Sequence, residues 1–360
     1  MKVRSFRRFL YFVGIISCII TIISLVRGSL LQTFMTAHAQ DNPEHNTSTS
    51  SLPSNANLPF AAESYVLSSC PPLDMPSGSW EVEAKPNKGF HWPYFYYLPK
   101  NINSTYALVV PNNSGQRSDD FCFHRQRALW SIHEFRFWAD ELRTPLIVPI
   151  FPRFDDETDG TIASQYLGRG TLEKYWQKRY PRLSRQDLQL IAMIDDAFSI
   201  NTKVLLWGYS ASAMFVSRFV ILHPDRIRAA AFGGHGWAIS PVADWDGLDL
   251  PYPYGAKDLL DLIGAPINFK EFRGVPLYVY MGAKDNNGWA LPWYIGNGKS
   301  YDYKRFKQKF GTSASSLMTS AQTIFNSLNC SVIFKLYPGA KHQRTAKMDE
   351  DSYHFLNFYR

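Results

Sequence analysis

The chain has 360 residues, 45% of them hydrophobic and 15% aromatic, enough for one large core or two modest ones. Its formal net charge is +7, but residues 1–39 hold one Lys, four Arg and no acid, which leaves only +2 for the remainder. That is no electrostatic footprint for nucleic acid. Four cysteines without a C-x-x-C pair, and no H-E-x-x-H, speak against a structural zinc or zincin site.

The N-terminus opens with Lys2, Arg4, Arg7 and Arg8, followed by an uncharged apolar run from Phe9 to Val26 that Arg27 closes. Residues 1–39 read either as a signal peptide cleaved after Ala37-His38-Ala39 or as a membrane anchor near the lower length limit for spanning. Both readings keep the N-terminus cytoplasmic and put the rest of the chain outside the cytoplasm, secreted or anchored. Contact with a membrane is then expected only through this segment, if it is uncleaved. Residues 40–58 are dominated by Ser, Thr, Asn and Pro and read as a disordered linker. Asn46, Asn103, Asn112 and Asn329 each begin an N-x-S/T sequon, relevant only in a eukaryotic secretory pathway. Cys18 lies in the apolar run. An exported domain can form one disulfide among Cys70, Cys122 and Cys330. Cys330 directly precedes an apolar strand, which favours Cys70–Cys122 without deciding the pair.

Residues 59–360 read as one domain in which short apolar runs alternate with helical patterns. Strands are expected at Tyr94–Leu98, Tyr106–Val110, Leu146–Ile150, Val204–Trp207, Ala229–Phe232, Leu277–Met281 and Ile333–Leu336. Helices are expected at Gln126–Leu142, Arg185–Phe198, Ala211–Leu222, Ser315–Leu328 and Lys347–Phe358. The alternation implies a mostly parallel sheet with helices on both faces. Residues 237–274, rich in Pro, Gly, Asp and aromatics, read as a cap-like insertion over a site.

The apolar run from Lys203 enters Gly208-Tyr209-Ser210-Ala211-Ser212, and a helical pattern with Phe215, Phe219 and Leu222 follows at once. This is the context of a nucleophile elbow, where a sharp strand-to-helix turn projects a serine hydroxyl and only small neighbours fit. The stretch, with the link His223-Pro224-Asp225-Arg226-Ile227, resembles the α/β-hydrolase superfamily. Ser212 stands where the family usually has glycine. The resemblance implies an α/β-hydrolase fold and a triad in the order Ser, Asp or Glu, His, each at a strand end. Two later segments resemble the other two stations: a strand, Gly282 and Asp285; and a strand, Pro338-Gly339 and His342. His235, flanked by glycines after a strand, is the alternative base. Asp302 and the Asp195-Asp196 pair are the alternative acids.

The resemblance also implies an oxyanion hole from the Ala211 N–H and a donor in the loop of Asn112 and Asn113, where many relatives carry His-Gly. Trp237, Trp245, Tyr252, Tyr254, Trp289, Trp293 and Tyr294 either form an apolar substrate pocket or pack the insertion onto the body. With the segment Pro149–Arg153 and the turn Gly282–Asp285, the chain is similar to secreted bacterial esterases of the polyhydroxybutyrate depolymerase-like group. The expected activity is hydrolysis of a small or polymeric carboxylic ester through an acyl-enzyme, without metal or organic cofactor. A peptidase or thioesterase would use the same triad. A catalytically silent module used for binding is the reading from a different class.

Overall fold

In a computed structural model of the chain, residues 70–111, 116–154, 164–198, 202–235, 237, 239–286 and 303–360 are described. All lie in the unit Leu58–Arg360. The leader (1–39) and the linker (40–58) lie outside the described residues, and among these no helix is long and apolar enough to cross a membrane.

The Val-, Ile- and aromatic-rich runs form the strands of one sheet. They are β1 (Ser79–Val82), β2 (Tyr94–Tyr97), β3 (Ala107–Val109), β4 (Leu146–Pro149), β5 (Val204–Tyr209) and β6 (Ile227–Gly233), followed after a small hairpin of β7 (Asp244–Trp245) and β8 (Leu248–Asp249) by β9 (Leu277–Gly282) and β10 (Val332–Tyr337). The sheet order is β1-β2-β4-β3-β5-β6-β9-β10. From β4 to β10 every pairing is parallel, while β2 runs antiparallel to β1 and β4. Every residue from Val204 to Gly208 is buried, so both faces of β5 are covered. This is the doubly covered, mostly parallel sheet that the sequence implies. The edge strand β1 was not expected.

Among the described residues, five helices of twelve or more residues flank the sheet: α1 (Phe121–Leu142), α2 (Gln186–Ala197), α3 (Ala211–Leu222), α4 (Ala314–Ser327) and α5 (Ala346–Phe358). Helix α1 starts five residues earlier than its apolar period suggests. The cause is Asp120, whose carboxylate accepts from Cys122 N at 2.9 Å and caps the first turn. Trp138 of α1 meets Trp207 of β5 (5.9 Å) and Tyr353 of α5 (5.7 Å), so α1 and α5 share a face. Ring stacking of Phe215 on Phe151 (5.6 Å) ties α3 to the segment after β4.

The insertion is more than an outer cap. Tyr252, Leu259 and Phe272 are buried within the main core. Trp237, Leu250 and Tyr254 form a second cluster with Phe306, Phe310 and Leu317, which welds the insertion to α4 and to the short helix Tyr303–Phe310. For Trp237, Tyr252 and Tyr254, packing is therefore the dominant role. Trp245 is partly buried beside the second cluster, and Trp289, Trp293 and Tyr294 lie outside the described residues.

Cys70 and Cys122 form a disulfide with their Cα atoms 5.2 Å apart, and Cys330 is a half-buried free thiol. The bridge spans 52 positions and fastens the start of the described chain to the first turn of α1. Cys122→Ser is expected to lower stability by about 2–4 kcal/mol through the greater freedom of the unfolded chain. Denaturant unfolding with and without reductant checks this: reductant should destabilise the wild type and leave the variant unmoved. Equal midpoints for oxidised wild type and variant would contradict it.

Candidate active site

Ser210 stands between β5 and α3 with φ 58° and ψ −120°. A non-glycine residue holds such a conformation only when its surroundings fix it, at a cost of about 1–3 kcal/mol. Here the Ser210 N–H donates to Gly233 O on β6 at 2.8 Å, and Ser210 O accepts from Met214 N at 3.1 Å. Gly208 supplies the space, since a Cβ there would lie 2.7 Å from the backbone of Ser212. Ser212, the departure from the family pattern, has a structural use: its buried hydroxyl donates to Pro111 O at 2.8 Å and ties the elbow to the chain leaving β3.

Asp285 and His342 follow β9 and β10, which are parallel neighbours. Their loops are joined by backbone bonds from Ala283 N to Tyr337 O (2.9 Å) and from Lys284 N to Ala340 O (2.8 Å). Gly282 makes this possible, because a Cβ there would stand 2.5 Å from both Ala340 O and Lys341 O. The imidazole of His342 then lies between its two partners. Its Nδ1 is 2.9 Å from Oδ2 of Asp285, and its Nε2 is 2.9 Å from Oγ of Ser210. A carboxylate oxygen only accepts, so Nδ1 carries the hydrogen, and Nε2 of the neutral ring presents a lone pair to the serine hydroxyl. The Asp285 side chain is fully buried, whereas that of His342 is 26% exposed.

Ser210, Asp285 and His342 are thus brought together as the sequence order implies. Ala211 is the first residue of α3, so its N–H has no acceptor within the helix. Asn112 and Asn113 lie outside the described residues, as does Asp302. The alternative acids are engaged elsewhere: Asp195 with Arg226 at 2.5 Å, and Asp196 with Lys85 and Lys88, each at 2.6 Å. His235 is buried, and burial followed by the charge of Arg218 pushes its pKa down to about 3.

Two supporting residues escape a motif search. Arg344 pairs with Glu134 of α1 (2.6 Å) and Asp349 of α5 (3.1 Å), with its guanidinium 4.5 Å from the Trp207 ring. It pins the His342 loop to β5. The ring of Tyr209 lies 5.6 Å from that of His342, and burial pushes its phenol pKa up. Neither has a sequence signal beyond nearness to Ser210 or His342 in the chain.

No protein-family model matches the sequence, and no curated protein matches it. Among solved structures the chain is similar to poly(aspartic acid) hydrolase-1 from Sphingomonas sp. KT-1, at 18% identity over 79% of this chain and 99% of that one, with a TM-score of 0.50. The poly(3-hydroxybutyrate) depolymerase LpqC from Bordetella parapertussis matches at 15% identity over 77% of this chain and 85% of that one, with a TM-score of 0.44. An S-formylglutathione hydrolase from Agrobacterium tumefaciens matches at 14% identity over 78% and 93%, with a TM-score of 0.43. The sheet order, the elbow and the first of these likenesses define the chain as an α/β-hydrolase fold. At such identities the likeness is one of fold.

The low pKa of His235 has a consequence for stability. Below the ordinary value of 6.5 the unfolded chain takes up a proton that the folded chain refuses until about pH 3. Stability from the neutral ring is fully present above pH 6.5 and is lost as pH falls towards 3. His235→Gln should flatten the acid side of a melting-temperature profile, by about 2 kcal/mol at pH 5 relative to pH 7. Parallel profiles for wild type and variant would contradict this.

Proposed function

We propose that the chain is a serine hydrolase that cleaves carboxylic esters through an acyl-enzyme. The observation that carries this reading is the relay of two 2.9 Å contacts from Asp285 through His342 to a serine held at positive φ on an elbow. Ser210 Oγ attacks the ester carbonyl while His342 Nε2 takes its proton. The proton then passes from His342 to the departing alkoxide, which leaves as the alcohol. In the second half His342 deprotonates a water that attacks the acyl group and returns the proton to Ser210. Asp285 keeps the imidazole in the tautomer whose lone pair faces Ser210 and stabilises the imidazolium. The Ala211 N–H and the N-terminus of α3 face the developing oxyanion. The second donor is assigned to the Asn112–Asn113 loop.

The domain is assigned to an extracytoplasmic compartment. The basic, apolar start of the chain and the Cys70–Cys122 bridge support this, since structural disulfides persist where the environment is oxidising.

The test is hydrolysis of p-nitrophenyl esters of graded acyl length by the wild type and three variants. Ser210→Ala, His342→Ala and Asp285→Asn should each lower kcat by about 10³-fold or more while leaving the fold intact. Pairing either of the last two with Ser210→Ala should add little, because the three act as one unit. A near-wild-type rate in His342→Ala would reduce that residue to a turn histidine. Multiplicative losses in the double variants would break the relay into independent parts.

A further inference from the structure

A small cavity of about 10 Å³, roughly the room of one water or one carboxylate oxygen, runs beside α3. Met214, Arg218, His235, Trp237 and Tyr254 are among its walls. Met214 and Arg218 lie four and eight residues after Ser210, on the helix stripe that begins at the nucleophile. His235 comes two residues after Gly233, the residue that accepts from Ser210 N. Helical side chains lean towards the N-terminus, which brings the Arg218 guanidinium back towards Ser210.

On these walls the half-buried Arg218 lacks a carboxylate partner, and the buried His235 lacks a hydrogen bond at Nε2, among the described residues. Arg218 donates to Tyr166 O at 2.8 Å, and among the described residues no carboxylate lies within ion-pair distance of it. Arg226 and Arg344 are both paired with carboxylates. A guanidinium has five N–H donors in a fork matched to a carboxylate. His235 is 5% exposed, and its buried Nε2 has no hydrogen-bond partner among the described residues. As a neutral imidazole it offers one N–H and one lone pair. A cation and a neighbouring neutral imidazole around room for one oxygen are the parts of a carboxylate reader.

We infer that Arg218 and His235 bind a carboxylate on the acyl part of the substrate, so that the preferred substrates are half-esters of short dicarboxylic acids. The inference rests on the proposed esterase reading and narrows it. The free carboxylate docks at Arg218, the acyl chain lies along Met214, and the ester carbonyl reaches Ser210. A neutral acyl chain of equal length leaves Arg218 and His235 unmet, which is why a site of this kind discriminates against it.

The experiment compares kcat/KM for 4-nitrophenyl hemiglutarate and 4-nitrophenyl valerate, with spontaneous hydrolysis subtracted. The wild type should favour the hemiglutarate by about tenfold or more, and Arg218→Met, which keeps the aliphatic stem, should bring the ratio towards one. A second readout does not need turnover: glutarate should raise the melting temperature of Ser210→Ala, valerate should not, and adding Arg218→Met should remove the glutarate shift. Turnover of both esters without preference, or a preference that survives in Arg218→Met, overturns the inference and leaves the esterase reading standing. Glutarate stabilisation that depends on Arg218 with neither ester cleaved leaves the pocket standing and sinks the esterase reading. No glutarate shift in Ser210→Ala overturns the pocket whatever the kinetics show.

Discussion

A Cβ on residue 208 would stand 2.7 Å from the carbonyl carbon and oxygen of Ser212 and 2.9 Å from Ala213 N. Strand β5 can therefore turn straight into α3 only if position 208 has no side chain. That close approach of backbone to backbone goes with the positive φ of Ser210, which throws its hydroxyl clear of the sheet edge. It also sets where everything else must sit. The elbow fixes one point, and a base within hydrogen-bond reach must come from a strand whose C-terminal end lies on the same rim. Parallel strands β9 and β10 meet that condition, because parallel order places all their C-terminal ends together. Gly282 repeats the device, allowing the acid-bearing turn and the histidine loop to touch through their backbones.

Much of this was legible in the sequence, for a physical reason. Strands buried on both faces must be continuously apolar, so the central strands announced themselves as runs such as Val204–Trp207 and Leu277–Met281. The elbow was legible because its steric demand allows few residue types. Strand β1 was not, because it is a four-residue edge in which Trp80 is 43% exposed and no face is fully buried. The early start of α1 was missed because it depends on one capping carboxylate rather than on apolar period. The insertion was read as a cap, yet Tyr252, Leu259 and Phe272 belong to the main core. Composition shows that aromatics bury themselves but not against what.

The groups that hold Ser210, Asp285 and His342 in register are the ones sequence reasoning cannot reach. Arg344 acts across three elements at once, from Glu134 on α1 and Asp349 on α5 to the Trp207 ring on β5. Ser212 reads in the sequence as a weakened motif. In the fold its hydroxyl makes a bond to Pro111 O that glycine cannot make, so the departure adds a tether where the family pattern has none. Such contacts join residues tens or hundreds of positions apart, and a single sequence holds no periodic signal for them.

The central claim is that Ser210 is the activated nucleophile of this fold. A fluorophosphonate forms a stable bond only with a serine whose proton is taken by an adjacent base, so its covalent adduct reports activation directly. The measurement is mass spectrometry of the digested protein after reaction with such a probe. The account predicts one modified peptide with the phosphonate on Ser210, and no adduct after Ser210→Ala. An adduct on a different serine, or labelling that persists unchanged in Ser210→Ala, would contradict it.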